Sequence, residues 1–246
     1  YADIGYIDAK VDPQIHQNKN SVEITFNISE GHPVFVDSLV ITGNEKQTVD
    51  RGLILDGDAN QIVDNGADGI LAASGSVTIL ADTEIRGNGG WGIFADAGSV
   101  YVADTSMDTI EDNGRGGIFV GRKLTLPRGF AVEGNGGPGI VVWGDQDTVL
   151  REVSVQENLG VGIAIAGGAP WQADRLPALI LAGTDNRIAR NGGDGLRASP
   201  GSVHIRGRTL IRDNGGWGIL GEMGQVTVSE GALEGTTGND RGGIRA

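Results

Sequence analysis

Asn88-Gly89-Gly90-Trp91-Gly92-Ile93 and, 25 residues on, Asn113-Gly114-Arg115-Gly116-Gly117-Ile118 share one pattern: an asparagine, a glycine four residues later, then an aliphatic residue. It recurs at Asn65, Asn135, Asn158, Asn191, Asn214 and Asn239, which makes eight copies spaced 23, 25, 22, 23, 33, 23 and 25 residues apart. Three residues before each asparagine stand Ile62, Ile85, Ile110, Val132, Val155, Ile188 and Ile211, and Thr236 alone breaks that aliphatic series. Short alternating runs such as Ser76-Val77-Thr78-Ile79, Ser99-Val100-Tyr101-Val102 and Ser202-Val203-His204-Ile205 fill the remainder of the units. No segment shows a 3.6-residue period, so the repeat is built from strands and not helices.

A unit of about 23 residues accommodates one coil of three short strands and three turns, with Gly and Asn at the sharp corners. Coils that stack pair each strand in parallel with its copies above and below, about 4.8 Å apart, so that eight coils make a rod on the order of 38 Å long. The aliphatic columns then form a continuous core, and the asparagines stack as a ladder of amide hydrogen bonds. The expected class is all-β, a single-stranded parallel solenoid over residues 51–246 with a smaller β-rich segment ahead of it. Over residues 52–246 this arrangement resembles the right-handed parallel β-helix of pectin-lyase-like and carbohydrate-binding proteins.

The composition shifts near residue 50. Residues 1–50 hold 3 of the 43 glycines and three Lys with no Arg, while the rest holds 40 Gly, 15 Arg and the single Lys123. Within 1–50, Ile7–Ile15, Val22–Ile28 and Val34–Ile41 read as three strands, the first two as an antiparallel hairpin. The landmarks Gly5-Tyr6, Glu30-Gly31 and Gly43-Asn44, with alternating apolar residues between them, are similar to those of the polypeptide-transport-associated (POTRA) modules of outer-membrane β-barrel assembly proteins. That resemblance covers only the end of one module and the first strand of the next, and it implies origin in a bacterial envelope more than barrel-assembly activity. Residues 1–50 equally suit a cap over the apolar end of a solenoid. The chain begins at Tyr1 and stops inside the eighth repeat, which reads as a mature product or a trimmed chain and makes end-to-end self-association an expectation.

Charge narrows the function classes. With 19 basic against 32 acidic residues the formal net charge is −13, which disfavours nucleic acid and anionic membranes as partners. There is no cysteine, and no apolar run is long enough to cross a bilayer as a helix. The Asn-Thr-Asp, Asp-Asp and Gly-His-Gly signatures of the pectin-degrading hydrolases are absent, no catalytic, cofactor or metal residue is assigned, and no Ca²⁺ nonapeptide repeat is present.

The candidates that remain are surface features. The 33-residue spacing places an insertion within residues 167–177, where Trp171, Asp174 and Arg175 stand; it is either a tolerated loop or a functional one. Trp143 lies beside Asp145 and Asp147, and an exposed Trp next to carboxylates suits sugar stacking with hydrogen bonding, though a turn Trp also serves to cover the rod. His204 is expected to face outward in line with Thr78, Tyr101, Thr125 and Thr227, and Trp91 and Trp217 to occupy equivalent turns too far apart to form one platform. The favoured expectation is a non-enzymatic structural or binding module, envelope-associated or secreted, whose partners are envelope proteins or glycans. A polysaccharide lyase, hydrolase or epimerase and an adhesin-like fragment are the alternatives.

Overall fold

In the computed structural model, residues 10–18, 21–29, 40–42, 52–57, 59–103, 109–167 and 176–246 are described. The chain divides into two compact units, Tyr1–Asp37 and Ser38–Ala246. Among the described residues every regular element is a strand.

The first unit carries a hairpin of β1 (Lys10–Asn18) and β2 (Ser21–Ser29), antiparallel from Asn18 opposite Ser21 to Lys10 opposite Ser29. These are the first two strands expected from the alternation. Of the third, Val40–Thr42 is a strand, β3, and it belongs to the second unit. It pairs in parallel with Gln61–Val63, Ile41 standing opposite Ile62. The solenoid therefore begins ahead of the composition change near residue 50.

After β4 (Gly52–Leu55) the coils follow. Coil one is β5 (Asn60–Val63), β6 (Ile70–Ala72) and β7 (Ser76–Ile79); coil two is β8 (Thr83–Arg86), β9 (Trp91–Ala95) and β10 (Val100–Val102). Coil three is β11 (Thr109–Glu111), β12 (Gly116–Val120) and β13 (Leu124–Thr125); coil four is β14 (Ala131–Glu133), β15 (Ile140–Val142) and β16 (Thr148–Arg151). Coil five is β17 (Ser154–Gln156), β18 (Ile163–Ile165) and β19 (Ala178–Ala182); coil six is β20 (Asn186–Ala189), β21 (Leu196–Ala198) and β22 (Ser202–Ile205). Coil seven is β23 (Thr209–Arg212), β24 (Trp217–Gly221) and β25 (Val226–Val228), and coil eight β26 (Leu233–Thr237) and β27 (Gly242–Arg245). The first strands of all coils, with β3, form a nine-stranded parallel sheet, and the second strands an eight-stranded one.

The third face is interrupted. It comprises β4-β7-β10-β13 and, separately, β16-β19-β22-β25. The turn into β13 has three residues (121–123), whereas the turn into β16 has five (143–147), which delays the coil-four strand relative to the one before it. Pro127, soon after β13, also lacks a ladder N–H. The Thr148 hydroxyl at this break is buried and has no hydrogen-bond partner among the described residues. The break also divides the outward row expected on this face: Thr78, Tyr101 and Thr125 align in one sheet. His204 lies in the other, in line with Val149, Ile180 and Thr227.

All eight asparagines stand in one row. The side-chain Nδ2 of each donates to Oδ1 of the next, from Asn65→Asn88 (2.8 Å) through Asn158→Asn191 (3.0 Å) to Asn214→Asn239 (2.8 Å). The 33-residue spacing leaves the ladder unbroken, so the extra residues do not shift its register. Each Oδ1 also accepts the backbone N–H of the preceding asparagine, as Asn135 Oδ1 does from Asn113 at 3.0 Å. Nδ2 further reaches the carbonyl of the core aliphatic one coil back, Ile110 in the case of Asn135 (3.2 Å). Such a network adds stability only when each buried polar atom is satisfied, and here the interior rungs are.

The glycine four residues on exists because of that ladder. A Cβ on Gly117 would lie 2.4 Å from Val132 Cγ1, 2.5 Å from the Gly139 carbonyl oxygen and 3.1 Å from Asn135 Nδ2. The residue before each asparagine turns through the left-handed region: Asp64 (φ 54°), Gly87 (65°), Asp112 (54°), Gly134 (67°), Glu157 (56°), Arg190 (55°), Asp213 (56°) and Gly238 (66°). The aliphatic columns are shut off from solvent, Ile62, Ile85, Ile110, Val132, Val155, Ile188 and Ile211 at 0–1% exposure.

Candidate functional site

The turns that join the second face to the third lie along one side of the rod. In coil three this turn is Gly121–Lys123, and in coil four it is Trp143–Asp147. The Trp143 N–H donates to the Val120 carbonyl at 2.7 Å, which locks the coil-four turn onto the coil before it. Gly144 then rides on the Arg122 carbonyl, where a Cβ would come within 2.3 Å of the oxygen. With the backbones in contact, the side chains are turned to the outside.

Together Gly121, Arg122, Trp143, Gly144, Asp145 and Gln146 line an open recess of about 440 Å³. Trp143 is 55% exposed, and Arg122, Asp145 and Gln146 are exposed around it. The recess thus offers an indole, a cation, a carboxylate and an amide on a backbone held by both coils. Among the described residues Asp145 is the only carboxylate in its lining, and these assemble no acid–base pair of carboxylates there.

Two of the five ligand-contact candidates from the sequence, Trp143 and Asp145, come together in this recess. Trp171, Asp174 and Arg175 lie outside the described residues. They stand in the sequence between β18 and β19 of coil five. Because Val142 pairs with Ile165, the connection from β18 to β19 follows the Trp143 turn in the same row. Asp147 Oδ1 accepts the Ala178 N–H at 3.0 Å and fixes the returning chain to the candidate turn. Arg122 and Gln146 escaped the sequence reading. The available signal was the five residues between Val142 and Thr148 where the three preceding coils use three or four.

Elsewhere on this row, Arg197 lies 3.7 Å from Glu222, and the Ser199 hydroxyl followed by Arg197 holds the Glu222 carboxyl below the usual carboxylate range against the opposing effect of burial. A second recess, of about 300 Å³, is lined by Asn60, Gln61, Asp82, Thr83, Glu84 and Thr109 among others and holds no aromatic side chain. Its Glu84 is already engaged by Gln61 Nε2 (3.2 Å) and by Arg86. Among the described residues no group of three His, Asp or Glu side chains could hold a metal ion. The backbone N–H groups of Trp91 and Trp217, five coils apart, each donate to an aspartate one coil back, Asp68 (2.6 Å) and Asp194 (2.7 Å).

A family model described as the right-handed β-helix region matches residues 53–233, from within β4 to the start of β26. The chain belongs to the right-handed β-helix family. No curated protein and no solved structure matches it. The β-helix match spans the Trp143 turn and the 168–175 insertion, so both are variations within the repeat array.

Proposed function

We propose that this β-helix is a non-enzymatic binding module that presents a rigid lateral surface and takes a glycan at the Trp143 recess. The observation that carries this reading is the exposed indole of Trp143, flanked by Arg122 and Asp145 on turns whose backbones are in contact. A sugar ring stacks its C–H face on an indole while charged and amide groups bond its hydroxyls, and a site held rigid before binding loses little entropy. The family includes both enzymes and non-enzymes; a single carboxylate among the described residues of the recess favours the second. Placement in a bacterial envelope or a secreted protein is supported by the POTRA-like landmarks of residues 1–50 and by the extracellular or cell-surface location common in the family.

Titration calorimetry against a panel of neutral and acidic glycans tests the reading. Trp143→Ala is expected to weaken the best ligand at least tenfold, about 1.4 kcal/mol, with the unfolding midpoint unchanged because the side chain is mostly in solvent. Incubation of the same panel with the protein, with and without Ca²⁺, is expected to release neither reducing ends nor unsaturated products. Undiminished binding by Trp143→Ala would remove the recess from the account, and product release would replace the binding module with a polysaccharide-acting enzyme.

A further inference from the structure

The two turns that form the Trp143 recess carry opposite charge. The coil-three turn brings Arg122 and Lys123, both exposed, and Lys123 is the single lysine after residue 50. The coil-four turn brings Asp145, exposed, and Asp147, half-buried with its Oδ1 on the Ala178 N–H. The exposed indole of Trp143 lines the recess together with Arg122 and Asp145. Elsewhere on the rod, opposite charges on adjacent coils close on one another. Arg190 is paired with Glu157, Arg197 with Glu222 at 3.7 Å and Arg208 with Glu234. Arg122 and Asp145 also stand on adjacent coils, yet among the described residues neither side chain enters an ion pair or a hydrogen bond. Both are left to a ligand.

We infer that the recess selects a zwitterionic glycan, one that carries an ammonium group close to an anionic group; this rests on the glycan reading above and adds the charges its ligand must bear. An ammonium group within about 6 Å of an indole face is attracted by the ring quadrupole, and the Asp145 carboxylate accepts its N–H donors. The anionic group, a carboxylate or a phosphodiester, meets the planar Arg122 guanidinium in two parallel hydrogen bonds. Gln146 is left to bond hydroxyls. A ligand of one sign satisfies one of the two charged side chains and strips water from the other without replacing it, which costs affinity. A neutral glycan does so at both. A purely anionic glycan is also repelled by the rod as a whole, whose net charge is −13. Only a ligand of both signs leaves neither Arg122 nor Asp145 unanswered.

Titration calorimetry of the full chain with one tetrasaccharide in four forms tests the selection. The forms are alternating glucuronate and glucosamine with free amines, its N-acetylated derivative, its carboxyl-reduced derivative, and the derivative with both changes. The first is expected to bind about tenfold tighter, or more, than each of the other three. Asp145→Asn is expected to abolish the preference for the free amine and keep that for the carboxylate, and Arg122→Gln to do the reverse. Both side chains are exposed, so unchanged unfolding midpoints separate lost recognition from a folding defect. A glucose oligomer substituted with phosphoethanolamine, titrated beside them, tells by its rank whether the preferred anion is a phosphodiester or a carboxylate. Equal affinity for the zwitterionic and neutral forms, or variants that leave the order of the four forms unchanged, would overturn the inference. In that event, Trp143→Ala weakening all forms alike would still uphold the glycan site. No binding of any probe, or binding that Trp143→Ala leaves intact, would remove the site and the inference together.

Discussion

Replacing Asn135 by alanine is expected to lower the free energy of unfolding by about 4–6 kcal/mol, the largest effect of any polar substitution in the rod. Asn135 Oδ1 accepts both the backbone N–H and Nδ2 of Asn113, each at 3.0 Å. Its own Nδ2 reaches Asn158 Oδ1 at 2.8 Å and the carbonyls of Ile110 and Glu133 at 3.2 and 3.1 Å. Alanine strands these partners where water does not reach, since Asn113, Asn135 and Asn158 are all fully buried. Each orphaned polar group costs about 1–3 kcal/mol, and partial relaxation keeps the sum below the maximum. Asn239→Ala is the control: this rung is only partly buried and satisfies a single neighbouring asparagine, so about 1–2 kcal/mol is expected. Equilibrium urea unfolding of the two variants beside the wild type reads the difference. Equal costs at the two positions would mean that the ladder is not a buried network.

The second large effect is expected from Gly117→Ala, at about 3–5 kcal/mol. Adding one methyl group here drives it into the Gly139 carbonyl, a backbone atom of the next coil that cannot rotate aside, and into Val132 Cγ1. The backbone at Gly117 is not left-handed, so the penalty comes from close approach and not from φ. Gly129→Ala separates the two mechanisms. Gly129 has φ +77° and nothing within 4 Å of a Cβ, so only the left-handed penalty of about 1–2 kcal/mol applies. Denaturation midpoints that rank Gly117→Ala near Gly129→Ala would contradict the tight stacking of coils.

These two residues also explain why the solenoid was readable from its sequence. A ladder asparagine, the glycine it displaces toward and the core aliphatic that receives its Nδ2 are parts of one contact made again in every coil. The same residue types therefore return at the coil's own period, and the 33-residue interval stood out against it. The left-handed turn before each asparagine left no comparable trace, because Asp, Gly, Glu and Arg all occupy it. At Gly87 the reason is local: a Cβ there would sit 2.3 Å from Asp64 Oδ1, so an aspartate in one coil calls for glycine in the next.

Features that depend on a difference between adjacent coils were hidden. Alternation with inward aliphatics groups His204 with Thr78, Tyr101 and Thr125, but it carries no information about whether two strands are hydrogen-bonded. The division between β13 and β16 follows from turn lengths. The same mismatch opens the recess and brings Arg122 beside Trp143, a pairing 21 residues apart in sequence with no motif to mark it. The start of the solenoid at β3 was obscured because Val40–Thr42 precedes the glycine-rich composition while already pairing with β5.

The stacking itself is tested most directly by distances between spin labels. The chain has no native cysteine, so Asp64, Asp112, Glu157 and Asp213, all exposed and all one residue before a ladder asparagine, can be replaced in pairs by labelled cysteine. They stand in coils one, three, five and seven, and electron–electron resonance should give separations from position 64 of about 10, 19 and 29 Å, linear in the number of coils at 4.8 Å per coil. Separations that fail to grow in proportion to coil number would show that the eight repeats do not wind about one axis.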